Sequence, residues 1–243
     1  MLSGNDTREL GGFSEVSVRH GFIRKVYAIV GTQLLLTAGI AFAIMKVGEE
    51  TLQANQSLTL VLLLASAALS IGTMCIFCCA PHLMRQYPTN YLILFLFTIG
   101  ESIIVGLISV QFTTASVVLA FGITCGMVLA LTLFACQTRI DFTGCGPYLF
   151  VAALCLVLFG LFVWLGSFFL TGATFQTLNL LYACGGALLM SCYIVFDTQL
   201  IVGGKHQRAN QFQIDDYAFA AIMLYLDIVQ LFLYILQIFG NRR

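Results

Sequence analysis

Three carboxylic acids lie deep inside long apolar runs: Glu101, Asp197 and Asp227. An ionisable side chain in lipid is costly, so such a residue faces a bundle interior or a water-filled cavity and marks a route for ions or protons. At a helical rise of 1.5 Å per residue, Glu101 and Asp227 lie about 15 Å into their runs, and Asp197 lies about 8 Å from the end of its own. All three approach from one side. Asp197 and Asp227 occupy consecutive runs joined by a short polar link, so their helices run antiparallel and the two carboxyls can meet. Two carboxylates within about 4 Å do not both ionise cheaply in low dielectric, and they are expected to share a proton. Protonated, such a pair ties two helices together; deprotonated, it repels itself and attracts cations, which is the chemistry of a pH-sensitive cation gate. The plainer reading gives each acid a neighbouring hydroxyl, such as Tyr193 or Tyr225, for packing alone.

Other charged residues cluster at the same side. Arg85, near the end of the second run, is a candidate counter-ion for the acid pair, although many such arginines only snorkel to headgroups. Asp215 and Asp216, just before the last run, offer hard oxygens suited to a calcium ion at the mouth, or serve as ordinary acids in the first turn of a helix. Cys75, Cys78, Cys79 and His82 share one helical stripe, but a tetrahedral metal needs ligands converging from several directions, and no structural metal site is expected there. There is no GxSxG, HExxH or phosphate-binding glycine loop, so neither a familiar hydrolase nor a nucleotide site has support, and no enzyme activity or bound cofactor is expected.

The elements that must position these residues follow from composition. Only 9% of the 243 residues are charged and 60% are apolar, too little polar surface to cover a soluble domain of this size. The net charge of zero removes the basic excess of a nucleic-acid binder. Seven apolar runs of about 20 residues each, at 26–45, 58–80, 91–110, 115–136, 148–170, 178–202 and 217–239, have the length needed to cross a bilayer. Backbone groups in lipid must be satisfied internally, and unbroken runs select helices over a barrel. The expected fold is therefore an all-α integral membrane protein, with residues 1–21 as a polar tail and 22–243 as one seven-helix transmembrane domain. The tail lacks the apolar core of a signal peptide, so the first span is read as its own insertion signal.

Basic residues set the orientation. Arg8, Arg19, Arg24, Lys25, Arg85, Arg139, Lys205 and Arg208 fall on one side, against Lys46, Arg242 and Arg243 on the other, which puts the N-terminus in the cytosol. If the last run, which carries Asp227, re-enters rather than crosses, both ends are cytosolic. Small residues mark expected helix contacts: Gly122 with Gly126, the Ala65–Ser70 stretch, and Gly185 with Gly186. The nine cysteines lie almost entirely in apolar runs, where free thiols behave as small hydrophobes, and no bridge is expected.

The strings FIRKVY (22–27), QTRIDFT (137–143), FDTQLI (196–201) and LYLDIVQLFLYILQ (224–237) resemble the Bax inhibitor-1, or transmembrane Bax inhibitor motif, family in its Lifeguard and Golgi anti-apoptotic branch. The similarity runs from about Gly21 to Gly240, and LYLDI is its most specific part. The resemblance implies seven helices with the last one central, a calcium leak across Golgi or endoplasmic reticulum membranes, and suppression of cell death. It implies that Asp197 and Asp227 match the family's pH-sensing aspartates, and that the partners are the lipid bilayer, Ca²⁺ and H⁺, cell-death regulators or calcium-channel proteins. The family's pairing arginine is matched only approximately by Arg85; an ungapped placement puts Met84 there.

Presenilin-type proteases also carry two intramembrane aspartates, used as a general acid and base. Their YD, GxGD and PAL motifs do not match Phe196-Asp197 and Tyr225-Leu226-Asp227. A seven-span receptor fits poorly with such short outer loops. The principal alternative to a leak is a non-conducting scaffold acting through protein partners.

Overall fold

In a computed structural model, residues 4–169, 172–203 and 216–242 are described, and seven helices dominate them: α1 (Gly4–Ala54), α2 (Gln56–Cys79), α3 (Thr89–Ser109), α4 (Thr114–Gln137), α5 (Gly146–Gly166), α6 (Ala173–Val202) and α7 (Tyr217–Phe239). Among the described residues, the only strand-like pairing is one antiparallel bridge between Phe112 and Arg242. Each helix contains a stretch long and apolar enough to cross a membrane, as the sequence predicts. The first helix differs in extent from its apolar run: α1 begins well before residue 26, so the polar residues ahead of the run continue into the span as one helix. Arg19, Arg24 and Lys25 are consequently helical residues with fixed directions around α1.

α7 is central, packing against α1, α3, α4 and α6. One of its sides joins an apolar cluster that includes Val26, Ile194, Leu224 and Leu231. The other joins a second cluster with Phe77, Leu94, Phe97, Ile222 and Val229. α5 packs chiefly on α6 and turns Phe150, Val157, Leu161 and Trp164 outward, the face expected to meet lipid. Lipid is as apolar as these side chains, so the helices are held by close packing and internal hydrogen bonds rather than by flight from water.

Close packing is concentrated where glycine allows it. A Cβ on Gly106 would sit 2.7 Å from Ile44 Cδ1 and 3.2 Å from Ala41 Cα of α1, and a Cβ on Gly100 would sit 3.2 Å from the Ser66 carbonyl oxygen of α2. Gly186 of α6 is pressed against the Tyr234 ring of α7. The Gly122/Gly126 pair, expected from its spacing to mark a helix contact, has nothing within 4 Å of either position. Its face of α4 is turned away from the bundle, which corrects that expectation. All nine cysteines are free thiols, and eight of them, including Cys75, Cys78 and Cys79, lie exposed on outward helix faces rather than in the core.

α7 crosses rather than re-enters. Its start lies beside the link before α3, where Arg85 meets Asp216, and its end lies beside the link after α3, where Thr113 N–H donates to the Asn241 carbonyl at 3.0 Å. α3 joins those two links, so α7 spans the same length of the bundle.

A buried acid pair between α6 and α7

Asp197 is completely buried on α6, and Asp227 projects from α7 so that the two carboxyl groups face each other across the interface. Both Asp197 oxygens and Oδ2 of Asp227 are shielded and have no hydrogen-bond partner. Two ionised carboxylates offer only acceptors; one proton between them turns the contact into an O–H···O bond. The Tyr193 phenol lies near both acids, and Tyr27 of α1 approaches Thr198, the residue after Asp197. The depths reconcile simply. Asp197 is five residues from the end of α6 and Asp227 ten from the start of α7, so the first turns of α7 project about 7 Å beyond the end of α6.

The end of α6 is anchored from two directions. Its last carbonyls lack helical partners, and Arg19 supplies them: Nη2 donates to Leu200 O at 2.8 Å and Nε to Val202 O at 3.3 Å. A cation here also faces the negative end of the helix dipole. Gly203 then stops the helix at φ +64°, a left-handed conformation that glycine adopts without a Cβ penalty. Gln199 ties in the link between α4 and α5. Its Oε1 accepts from Phe142 N–H at 2.8 Å and its Nε2 donates to Ile140 O at 3.0 Å. In that link Asp141 Oδ1 accepts from the Thr143 amide at 2.8 Å and hydroxyl at 2.6 Å. Two of the strings that carry the family resemblance, QTRIDFT and FDTQLI, thus meet one turn from Asp197.

On the opposite side of α7 lies a polar layer that the sequence reading missed. Thr37 Oγ1 of α1 is 2.8 Å from the buried Tyr225 hydroxyl and 3.0 Å from Ser102 Oγ of α3, while Gln33 Nε2 donates to Thr98 Oγ1 at 2.8 Å. Its signal was available: Gln33/Thr37 and Thr98/Ser102 are two polar pairs at i, i+4 spacing within apolar runs. Glu101 is buried beside this layer, its carboxyl approaching Ser70 of α2. It therefore faces the interior, but it lies on the α2–α3 side of the bundle and is not part of the acid pair.

Arg85 requires correction. Its Nε bonds Asp216 Oδ1 at 2.8 Å at the end of the bundle, not the shielded oxygens of Asp197 and Asp227. It lies on a short turn, Pro81–Arg85, with its side chain 53% exposed, so it reaches outward; Met84 beside it is buried against the second apolar cluster. Asp216 is thus engaged by an arginine, and Asp215 lies outside the described residues. No group of three or more His, Cys, Asp or Glu side chains suited to a metal occurs among the described residues.

A family model described as "Inhibitor of apoptosis-promoting Bax1" matches residues 19–243. The chain is 32% identical over 232 residues to Protein lifeguard 3 of Homo sapiens, with 96% of this chain and 72% of that protein covered. It is 30% identical to Protein lifeguard 3 of Mus musculus (99% and 75% covered) and 34% identical to Protein LIFEGUARD 4 of Arabidopsis thaliana (91% and 85% covered).

Proposed function

Because the chain belongs to the family of inhibitors of apoptosis-promoting Bax1, we propose that it is a proton-sensitive calcium leak of an intracellular membrane, Golgi or endoplasmic reticulum, that restrains cell death. The observation that carries this reading is the pairing of Asp197 and Asp227, which face each other between α6 and α7 with three of their four oxygens shielded and without a hydrogen-bond partner. A shared proton bonds α6 to α7. Its loss leaves two adjacent negative charges that repel each other across the interface, and carboxylate oxygens are what a hard cation such as Ca²⁺ seeks. In this reading, which the eight-to-three excess of basic residues supports, the pair lies nearer the cytosolic face and senses cytosolic proton concentration. Glu101 is a second buried acid, separate from the pair on the α2–α3 side, and Asp216 lies at the end of the bundle, where Arg85 engages it.

The test is calcium efflux from liposomes containing the purified protein, measured between about pH 6 and 8. Asp197→Asn and Asp227→Asn are each expected to flatten the pH response, since an amide does not titrate. The double variant is expected to be no flatter than the stronger single one, because the two acids act as one unit. Unchanged pH dependence in both folded single variants would make the pair a structural bond. Absence of flux from the parent protein would move the function to a scaffold acting through protein partners.

A further inference from the structure

Cys79 is the last residue of α2, and its thiol is exposed, with that of Cys78 beside it. The exposed rings of Tyr87, just after α2, and Tyr148, in the first turn of α5, mark this end of the bundle as the level where hydrocarbon gives way to headgroups. Cys125, Cys155 and Cys184 are exposed too, but near the middles of α4, α5 and α6, where a thiol serves as a small hydrophobe in hydrocarbon. The outer face of α2 below Cys79 is unlike theirs. Cys75, Gly72 and Ala68 follow four, seven and eleven residues back, all exposed and within about 40° of Cys79 around the helix. A Cβ on Gly72 would meet nothing within 4 Å, and exposed Ile71 and Ile76 stand on either side. The result is an open lane of small side chains that begins at a thiol and runs toward the membrane centre. From Cys79 to Ala68 it is about 16 Å long, close to the ~15 Å depth of one leaflet's hydrocarbon. Cys136, exposed at the same end of the bundle on α4, has no such lane, because Leu133 and Leu129 stand on the face below it.

We propose that Cys79 is an S-acylation site, carrying a long saturated acyl chain that lies along Cys75, Gly72 and Ala68. A cysteine at the membrane boundary is within reach of a membrane acyltransferase and its donor, a long-chain acyl-coenzyme A. The Cys79 sulfur attacks the donor's thioester carbonyl; a new C–S bond forms, the C–S bond to coenzyme A breaks, and the thiol proton leaves on the coenzyme A thiol. One thioester replaces another, so no oxidant or reductant enters. The acyl site is independent of calcium conduction and rests only on the cytosolic orientation of this end of the bundle, the side on which acyl-coenzyme A is found.

The full chain with an N-terminal tag, expressed in cultured eukaryotic cells fed an alkyne-bearing palmitate, tests this. Label released by neutral hydroxylamine, which cleaves thioesters, is expected on the parent. Cys78→Ser/Cys79→Ser should lose that label, while Cys78→Ser alone and Cys136→Ser should keep it. An unlabelled parent, undiminished label in the double variant, or label lost in Cys78→Ser alone would overturn the proposal. Protease protection of the tag in sealed microsomes reads the orientation separately. An unlabelled parent with a cytosolic N-terminus refutes the acyl site and leaves the orientation standing; with a lumenal N-terminus both fail.

Discussion

The hydroxyl cluster beside α7 makes a prediction in which the sign of a coupling, not only its size, is fixed by where protons must lie. Thr37 has one hydroxyl proton and uses it on Gln33 O at 2.8 Å, so the 2.8 Å contact between Thr37 and Tyr225 has Tyr225 as donor. Ser102 lies 3.0 Å from the same Thr37 oxygen and also bonds Thr98 O. Tyr225→Phe therefore removes one donor and leaves Thr37 still bonded. The ring keeps its edge contact with Phe97, at 6.2 Å between centroids. Its cost is that of one hydrogen bond, about 0.6–1 kcal/mol in a membrane bundle. Thr37→Val has nearly the same shape but leaves the Tyr225 hydroxyl without an acceptor at a completely buried position, which costs about 1–3 kcal/mol. Adding Tyr225→Phe to Thr37→Val removes that orphan, so the double variant should be more stable than Thr37→Val alone by about 1 kcal/mol. Unfolding by SDS, read by near-ultraviolet circular dichroism, measures all three. Tyr225→Phe costing more than Thr37→Val, or the two costs simply adding, would refute the assignment of donor and acceptor.

Two further predictions concern the framework. Arg19→Ala should lower stability by about 1–3 kcal/mol by stripping charged donors from the last carbonyls of α6, and Arg19→Lys should recover only part because an ammonium does not reproduce the guanidinium fork; full recovery by Lys in the same unfolding assay would count against the cap. Gly106→Ala should cost about 1–3 kcal/mol by overpacking against Ile44 and Ala41, whereas Gly122→Ala, with open space around it, should stay within about 0.5 kcal/mol of the parent; equal effects would mean that α1 and α3 do not approach as closely as described.

Much of this was legible in the sequence, for reasons that differ by feature. The seven helices were visible because a bilayer demands about 20 apolar residues and satisfied backbone groups, and little else meets both conditions. The meeting of Asp197 and Asp227 was visible because two rare residues on consecutive antiparallel helices have few other ways to leave lipid. Contacts that depend on rotation about a helix axis were not. Gly122 and Gly126 have the spacing of a contact, but spacing does not say which way the face turns; on α4 it turns outward. Arg85 falls on the same side of the bundle as the acids in the charge pattern, but a short turn at the end of the bundle aims it at Asp216. The Gln33/Thr37 and Thr98/Ser102 pairs were overlooked because uncharged polar residues are tolerated in spans and give a weaker signal than an acid.

The anchors around the acid pair constrain what its opening can be. α6 is fixed at its end by Arg19 and by Gln199, within five residues of Asp197. α7 is fixed at its start, where Tyr217 accepts from Asn90 and sits under Lys25 and where Asp216 holds Arg85. It is fixed again just past its end, where Asn241 bonds Thr113 and its amide donates to Ser116 Oγ at 2.9 Å. Between these points the carboxyl contact is the polar tie identified across the α6–α7 interface at this depth. Asp227 is two residues, roughly 200° of helical rotation, from Tyr225, so the same stretch of α7 is held toward α1 by the Thr37 bond. Repulsion between the two acids would then draw α7 toward α1 and α3 as a local bow rather than release it whole. On that account Tyr225→Phe, although far from the pair around the helix, should shift the pH midpoint of calcium efflux, because it alters the side of α7 that must yield. The same liposome assay measures this, and a midpoint identical to the parent's would show that the pair opens without moving α7.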